Sequence, residues 1–221
     1  MSTMSLDDIK YIYKSKYQSV QALDGVTVTF EPGKFYAVAG RSGSGKTTML
    51  SLIAGLDLPT SGKVYFGGTD TKKIDRDRYR LEHVSVIYQS LNLFPLLNVI
   101  ENVTFPLEYK GASKADAIAV ATEKLAAVGI DEAKFKRLPS MLSGGEQQRV
   151  AIARGLASKT EIILADEPTG SLDTENSRLI AQLLKDLAAK ENVCVIVVTH
   201  DPVVVEYADI VIKLSDGKIV A

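Results

Sequence analysis

The feature that most constrains the fold is a glycine-rich segment between a strand pattern and a helix pattern. Gly40-Arg41-Ser42-Gly43-Ser44-Gly45-Lys46-Thr47 matches the phosphate-loop pattern Gly-x4-Gly-Lys-Ser/Thr. Its glycines let successive N–H groups surround a polyphosphate, and the following helix start adds positive potential. We expect Lys46 to reach the terminal phosphates, Thr47 to bind Mg²⁺, and Thr48 to complete the site. A glycine-rich turn with an incidental lysine is the alternative, which the strand–loop–helix context disfavours.

The pattern around this loop predicts a doubly wound α/β core. Short apolar runs typical of buried parallel strands occur at 35–39, 161–165 and 193–199. Val26–Phe30 alternates like a half-buried strand, 63–66 resembles half of a hairpin, and 210–220 reads as a terminal hairpin. Helix patterns cover 47–56, 114–129, 143–157 and 174–190. We therefore expect one domain over residues 1–221, with a core at about 1–89 and 156–221 and a helical lobe at about 90–155.

Two carboxylates follow the apolar run Ile162–Ala165, namely Asp166 and Glu167. In open α/β sheets, ligands collect at the carboxyl ends of the strands, so these groups are expected to face the phosphate loop. Asp166 suits the surroundings of Mg²⁺, and Glu167 could polarise an attacking water. Two acids after a strand can also be a solvated loop, but their pairing with a phosphate loop favours the site.

A second anion site is predicted at the start of the helix after Leu142, where the sequence reads Ser143-Gly144-Gly145-Glu146. Serine followed three residues later by glutamate is a capping box, which is the purely structural interpretation. A cap does not require paired glycines, however, and these expose backbone N–H groups. A lone histidine is usually a packed or solvated residue, but His200 follows the apolar run at 193–199, a position that favours a role near the terminal phosphate. His83 lies in a charged stretch and is interpreted as a surface residue.

Composition excludes several classes of protein. Hydrophobic residues make up 46% of the 221 residues and charged residues 24%, which allows a substantial core and argues against disorder. No apolar run approaches the roughly 20 residues of a membrane helix. The single cysteine, Cys194, rules out an internal disulfide or a cysteine-based zinc site. A net charge of −1 gives no reason to expect direct nucleic-acid binding.

Taken together and in order, these motifs resemble the ATP-binding cassette (ABC) ATPase family over about residues 6–220. The order is Gly40–Thr47, Gln89, Leu142–Glu146, Ile162–Glu167, Ser171–Asp173 and His200. The residues at 145–154 and 163–170 are similar to those of one branch of the family. That branch contains the ATPases of macrolide exporters, lipoprotein release, antimicrobial-peptide resistance and heme efflux, and the cell-division cassette. The fold implied is a P-loop NTPase (RecA-like) α/β core with an antiparallel β subdomain and an inserted α-helical lobe.

The resemblance also implies a role for each matching residue. Glu167 matches the catalytic base, His200 the switch histidine near the γ-phosphate, and Gln89 the glutamine that touches Mg²⁺ and senses the membrane partner. Asp173 matches the loop that links the two sites. Tyr13 is the best match to the aromatic that stacks on adenine, although Tyr11, Tyr17 and a plain strand tyrosine stay open.

The partners implied are a second copy of the chain and a separate integral membrane permease. In the family, Ser143–Glu146 of one subunit closes over the ATP held by Lys46 of the other, so a head-to-tail homodimer with two sites is expected. The 91–97 segment would receive the membrane subunit or else form lobe core. The expected location is the cytoplasmic face of the membrane. The function implied is ATP binding and hydrolysis that power export or extraction of a substrate through that permease. Mechanical signalling instead of transport, and a soluble ATPase acting on nucleic acid, are the alternatives.

Overall fold

The computed structural model describes residues 2–220 and contains two sheets and seven α-helices within that range. The strands are β1 Met4–Lys14, β2 Ser19–Phe30, β3 Phe35–Ala39, β4 Ser61–Phe66, β5 Thr69–Asp70, β6 Val84–Ile87, β7 Ile162–Asp166, β8 Cys194–Thr199, β9 Ile210–Ser215 and β10 Lys218–Val220. The helices are α1 Lys46–Ile53, α2 Arg76–Glu82, α3 Val99–Tyr109, α4 Lys114–Ala127, α5 Gly144–Ala157, α6 Thr174–Glu191 and α7 Pro202–Tyr207. Short 3-10 turns occupy Thr71–Lys73, Glu132–Lys134 and Pro139–Met141.

The central sheet has six strands in the order β10-β9-β3-β8-β7-β6. Neighbouring strands from β9 to β6 are parallel, and β10 pairs antiparallel with β9. A smaller antiparallel sheet has the order β2-β1-β4-β5. The predicted α/β class with an antiparallel subdomain is therefore confirmed. The helices α3, α4 and α5 lie between β6 and β7 in the chain, while the lobe limits at 89/90 and 155/156 stay a prediction.

The core lies on both faces of the central sheet because consecutive residues of a strand point to opposite sides. Val195 and Val197 of β8 pack in the cluster that includes the helices α3 to α6. Cys194, Ile196 and Val198 pack in the cluster formed with the antiparallel sheet and α1. A strand buried on both faces reads as a continuous apolar run, which is why the sequence revealed β3, β7 and β8.

Some local expectations were wrong. The helical periodicity places Ile118 on the apolar face of the helix at 114–129 and Leu179 on that of the helix at 174–190, but Ile118 is 40% exposed and Leu179 is 41% exposed. His83 is half-buried instead of lying on the surface: its Nδ1 lies 2.8 Å from Glu161 Oε1, and its ring packs on Phe66. No local pattern could reveal this contact, because the two residues lie 78 positions apart in the chain. Among residues 2–220, no helix combines the length and the apolar character needed to cross a membrane.

Cys194 offers a direct measure of how tightly this core is closed. It is 1% exposed within β8, and burial raises the pKa of its thiol to about 12. Because the thiolate is the nucleophile, we expect iodoacetamide at pH 8 to label the protein only through unfolding, and urea to accelerate labelling steeply. The raised pKa stabilises the fold below pH 9, and this stabilisation is lost as the pH rises from 9 towards 12. Rapid stoichiometric labelling in native buffer would contradict this burial, with fully unfolded protein as the labelling reference.

Candidate active site

The phosphate-loop cavity has a volume of about 630 Å³ and lies at the carboxyl ends of β3, β7 and β8. These strands are neighbours in the sheet, with β8 in the middle. The cavity thus gathers residues that are far apart in the sequence: Gly40, Arg41, Ser42, Gly43, Gly45, Lys46, Thr47, Thr48, Gln89, Asp166, Glu167 and His200. Ser44 does not line it. Its side chain lies on the other side of the loop, where its hydroxyl is buried and lacks a hydrogen-bond partner among the described residues.

The loop between β3 and α1 depends on glycine at two positions. Gly45 has a φ of +101°, and a Cβ there would lie 2.3 Å from the carbonyl oxygen of Ala22. A Cβ on Gly40 would lie 2.2 Å from the carbonyl oxygen of Leu214. Both substitutions would force backbone apart, so the loop's path between β2 and β9 requires the missing side chains.

Lys46 is folded back into this loop. Its ammonium group donates to the carbonyl oxygens of Gly40, at 2.8 Å, and of Arg41, at 3.0 Å. The residue as a whole is 9% exposed. These contacts hold a positive charge inside the glycine-rich loop before α1, which is an arrangement suited to phosphate oxygens.

The carboxylates after β7 face this loop, and Thr47 and Asp166 supply oxygen ligands of the kind that Mg²⁺ prefers. The Thr47 hydroxyl donates to Asp166 Oδ2 at 3.0 Å, and Gln89 lines the same cavity. Burial raises the pKa of Asp166, as does the nearby Glu167, while the bond from Thr47 and the Lys46 charge oppose the shift. The residues present therefore fit a magnesium ion shared with a polyphosphate.

Glu167 is held by three donors at the end of β8. Its carboxylate contacts His200 Nδ1 at 2.7 Å and accepts from the Thr199 hydroxyl at 3.2 Å and the His200 N–H at 3.3 Å. The Glu167 side chain is 11% exposed and that of His200 is 77% exposed. Glu167 has a φ of +48°, a left-handed conformation that is uncommon for a non-glycine residue. The site therefore fixes an acidic group beside the phosphate loop and leaves the imidazole accessible.

The hairpin of β1 and β2 forms the outer wall of the cavity. Tyr13 is 49% exposed, lines the cavity, and its hydroxyl lies 3.1 Å from Thr48 Oγ1. Tyr11 instead packs edge to face against Tyr13, and Tyr17 is 89% exposed at the turn. Neither Tyr11 nor Tyr17 lines the cavity. Of the three tyrosines left open by the sequence, Tyr13 is the one placed to contact a ligand.

Sequence reasoning missed three residues of this wall, Val20, Gln21 and Ala22. Val20 is the cross-strand partner of Tyr13, so the two side chains sit together over the loop. Val20 could have been found by pairing the tyrosine strand with the strand at 26–30, but the β1–β2 register has three irregularities that no simple alternation predicts.

A second cleft, of about 540 Å³, lies where α5 and α6 begin. It is lined by Ser143, Gly145, Glu146, Arg149, Ser171, Leu172, Asp173 and Asn176. Ser143 and Glu146 form the predicted capping box, with bonds of 3.3 and 2.8 Å. Asp173 caps α6 by accepting from the Asn176 N–H at 2.8 Å, and its bonds with Asn176 lower its pKa. Gly144 has nothing within 4 Å of the position that a Cβ would take, so its backbone is open to the solvent side.

The structure does not bring this cleft into the phosphate-loop cavity, since the two share no lining residue. Arg149 and Asn176, which the sequence did not single out, join its two helices through a 2.9 Å hydrogen bond. The chain therefore presents two separate half-sites: one with the loop lysine and acidic groups, and one with an open helix start.

An apolar groove of about 500 Å³ opens beside the 91–97 segment, between α2, α3 and α5. It exposes aromatic side chains of Phe94, Phe105 and Tyr109, of which Phe94 and Phe105 pack with ring centroids 4.8 Å apart. Residues 91–97 were expected to form either the groove or the core of the lobe, and they contribute to both. Leu93 packs on the core, whereas Phe94 lines the groove.

Arg154 of α5 forms the floor of this groove. Its guanidinium donates to the backbone oxygens of Asn92, at 2.7 Å, and Leu91, at 3.2 Å, and lies 5.7 Å from the centroid of the Phe94 ring. Burial lowers its pKa. Within residues 2–220, no carboxylate forms an ion pair with it.

The six-stranded sheet, the phosphate loop at its carboxyl edge and the acidic pair after β7 define a P-loop nucleotide-binding protein. The family model for the ABC transporter matches residues 23–170. The chain belongs to the ABC transporter ATP-binding family and is an ATPase of that family, as the resemblance implied.

Relatives support this assignment over the whole chain. The uncharacterised ABC transporter ATP-binding protein YclH of Bacillus subtilis is 41% identical over 217 residues, covering 98% of this chain and 95% of its own. The macrolide export ATP-binding/permease protein MacB 2 of Aeromonas hydrophila is 41% identical over 219 residues, but this chain, 98% covered, spans 34% of its length.

Among solved structures, the dimeric ABC transporter cassette MJ0796 of Methanocaldococcus jannaschii superposes with a TM-score of 0.94. It is 39% identical, and the match covers 99% of this chain and 97% of that one. A second dimeric structure of MJ0796, in a post-hydrolysis state with ADP and Pi, gives a TM-score of 0.93. The nucleotide chemistry of the family is therefore that of ATP binding and hydrolysis.

Proposed function

We propose that this chain is the ATPase subunit of a membrane transporter, and that two copies pair head to tail to enclose two ATP molecules. The observation that carries the proposal is the presence of both half-sites on one chain, separated in space. The Lys46 half-site offers phosphate-binding and acidic groups, and the Ser143 cleft offers an unfilled helix start. A second copy turned through 180° would bring each open helix start to the other's phosphate loop, which is a closed two-fold arrangement. The dimeric MJ0796 cassette supports this assembly.

In the proposed site, each residue has a role that follows from its contacts. The Lys46 ammonium exchanges its two carbonyl oxygens for oxygens of the terminal phosphates. Tyr13 supplies an aromatic face for adenine, and Thr47, Asp166 and Gln89 hold Mg²⁺. When bound, that ion neutralises charge on the phosphates. Glu167, fixed by Thr199 and His200, orients and polarises the attacking water.

Closure of the dimer around ATP would supply the movement that drives the membrane subunit. The γ-phosphate attracts both half-sites, so the closed dimer is favoured while it is present and loses that favour after hydrolysis. We further propose that the apolar groove receives a segment of a separate membrane subunit, which would hold this chain at the cytoplasmic face of the membrane. The relative MacB 2, whose name joins macrolide export with ATP-binding and permease functions, supports export as the direction.

The experiment is a capture from native membranes with a matched pair of groove variants. Tagged Glu167→Gln protein with ATP and Mg²⁺ is expected to retain an integral membrane protein. Adding Phe105→Glu should remove that protein, because a carboxylate would enter the aromatic groove. Adding Ile118→Glu, at an apolar position on α4 that is 40% exposed against 46% for Phe105, should leave the captured protein in place. Equal capture by both variants, or capture of ribosomal or DNA-bound proteins alone, would contradict the proposal.

A further inference from the structure

Both carboxylate oxygens of Glu146, the last residue of the Ser143–Glu146 motif, are already occupied within the chain. Oε2 accepts from the Ser143 N–H at 2.8 Å, and Oε1 accepts from Lys134 Nζ at 2.7 Å. The side chain is 18% exposed. The Lys134 contact and then the Ser143 bond lower the pKa of Glu146 to about 2, so it carries a full negative charge at neutral pH.

The capping box uses some of the backbone N–H groups at the start of α5 and leaves others open. The first N–H groups of a helix have no acceptor within the helix. The Glu146 carboxylate takes the Ser143 N–H, and the Ser143 hydroxyl accepts from the Glu146 N–H at 3.3 Å. The N–H groups of Gly144 and Gly145 are the ones left for an anion. Glu146 therefore helps to shape the anion site, but it also places a fixed negative charge beside it.

The charges around the cleft show what offsets that carboxylate. Besides Glu146 itself, the cleft is lined by the cation Arg149 and the anion Asp173. The pKa of Asp173 is lowered mainly by its bonds with Asn176 and to a smaller extent by the Arg149 charge. Within residues 2–220, Lys134 is the cation in ion-pair contact with Glu146. Lys134 belongs to the 3-10 turn Glu132–Lys134, which stands against the start of α5.

We infer that Lys134 is a positioning residue of the nucleotide site: its ion pair with Glu146 neutralises the carboxylate, so that the Gly144–Gly145 helix start can accept the phosphate of an ATP held by a second copy. Glu146 acts as a part of the cap and not as a nucleotide ligand. Phosphate-binding motifs are identified in a sequence by their glycines or by cationic residues that contact the phosphate directly. Lys134 acts through Glu146 instead, so the motif alone does not reveal it. The inference rests on the proposed head-to-tail dimer.

The test measures the ATP concentration for half-maximal dimer formation in the Glu167→Gln background, by light scattering. Lys134→Met is expected to raise this midpoint by roughly three- to tenfold, because an uncompensated carboxylate then repels the phosphates. Glu146→Gln should restore the midpoint of Lys134→Met, since glutamine keeps the capping box without the charge. The defect of Lys134→Met should also shrink in 1 M salt, where the Debye length falls to about 3 Å.

Controls separate charge from folding. Lys136→Met removes an exposed lysine of the same loop and should change the midpoint less than twofold. Lys134→Arg keeps the charge and should behave as the parent. ADP affinity of the monomer, by calorimetry, should be the same in all variants, because the phosphate-loop cavity is separate.

Three results would overturn the inference. A midpoint that Lys134→Met leaves unchanged, with the parent still dimerising, would refute it and leave the proposed function standing. A Lys134→Met defect that Glu146→Gln does not rescue would mean that the lysine only supports the loop. A parent Glu167→Gln protein that stays monomeric with ATP would instead refute the dimer, and the inference with it.

Discussion

The Glu167→Gln protein is expected to bind ATP and form a stable dimer while its turnover falls by a factor on the order of 10²–10⁴. Glutamine is nearly isosteric, so it can keep hydrogen bonds from the Thr199 hydroxyl and the His200 N–H, which now lie 3.2 and 3.3 Å from the carboxylate. It cannot accept a proton from water. The γ-phosphate therefore remains in place, and so does the attraction between the two half-sites. Phosphate release and light scattering on the same sample measure both effects.

Glu206→Gln is the matched control, since it makes the same change at an exposed position on α7. It should hydrolyse ATP at the parent rate and show no trapped dimer. If Glu167→Gln were to turn over ATP within a few fold of the parent, Glu167 would not be the group that activates water.

The second large effect is expected from Ser143→Arg. The arginine removes the hydroxyl that caps the Glu146 N–H and fills the cleft at the start of α5. The helix start could then no longer approach a phosphate, so turnover should drop by on the order of 10²-fold or more, as for loss of preorganised donors elsewhere. Nucleotide binding by the monomer should be retained, because the phosphate-loop cavity has no residue in common with this cleft.

Ser143→Ala distinguishes blocking of the cleft from loss of the cap. Loss of an N-cap alone costs about 1 kcal/mol of stability, so this variant should fold and keep part of the activity. Parental turnover in Ser143→Arg would mean that hydrolysis needs no second half-site, as in a kinase-like or switch-like P-loop protein.

The parts of the fold that the sequence predicted are those in which local pattern and tertiary role coincide. Strands β3, β7 and β8 are buried on both faces and are apolar up to Asp166 and Thr199, which end β7 and β8, and α5 begins after a serine whose capping glutamate is three residues away. By contrast, β6 and α2 were not predicted as separate elements. Strand β6 has four residues and α2 is charged, so neither carries a clear periodicity.

The residues of the candidate site likewise fall into those that the sequence predicted and those that it did not. Lys46, Asp166, Glu167 and His200 follow from motifs at strand ends, because parallel strands deliver their carboxyl ends to one edge. Val20, the Arg149–Asn176 bond and the Lys134–Glu146 pair depend on contacts between elements whose register or packing no local pattern specifies. Tyr13 lies between these cases: the sequence provided three tyrosines, and the path of the hairpin selected one of them.

The length of helix α5 would couple events at the Ser143 cleft to events at the apolar groove in the proposed complex. Its first residues form the Ser143 cleft, and Arg154 near its last turn is bonded to the backbone of Leu91 and Asn92 beside the aromatic groove. Fourteen residues of α-helix make a stiff rod of about 21 Å. A tilt of this helix at one end must displace the other end. Nucleotide binding at the Ser143 cleft and movement of the membrane-subunit segment proposed to occupy the groove would therefore occur together. In the proposed transporter, a substitution that breaks this helix, such as Ile152→Pro in its buried middle, would uncouple ATP hydrolysis from movement of the membrane subunit.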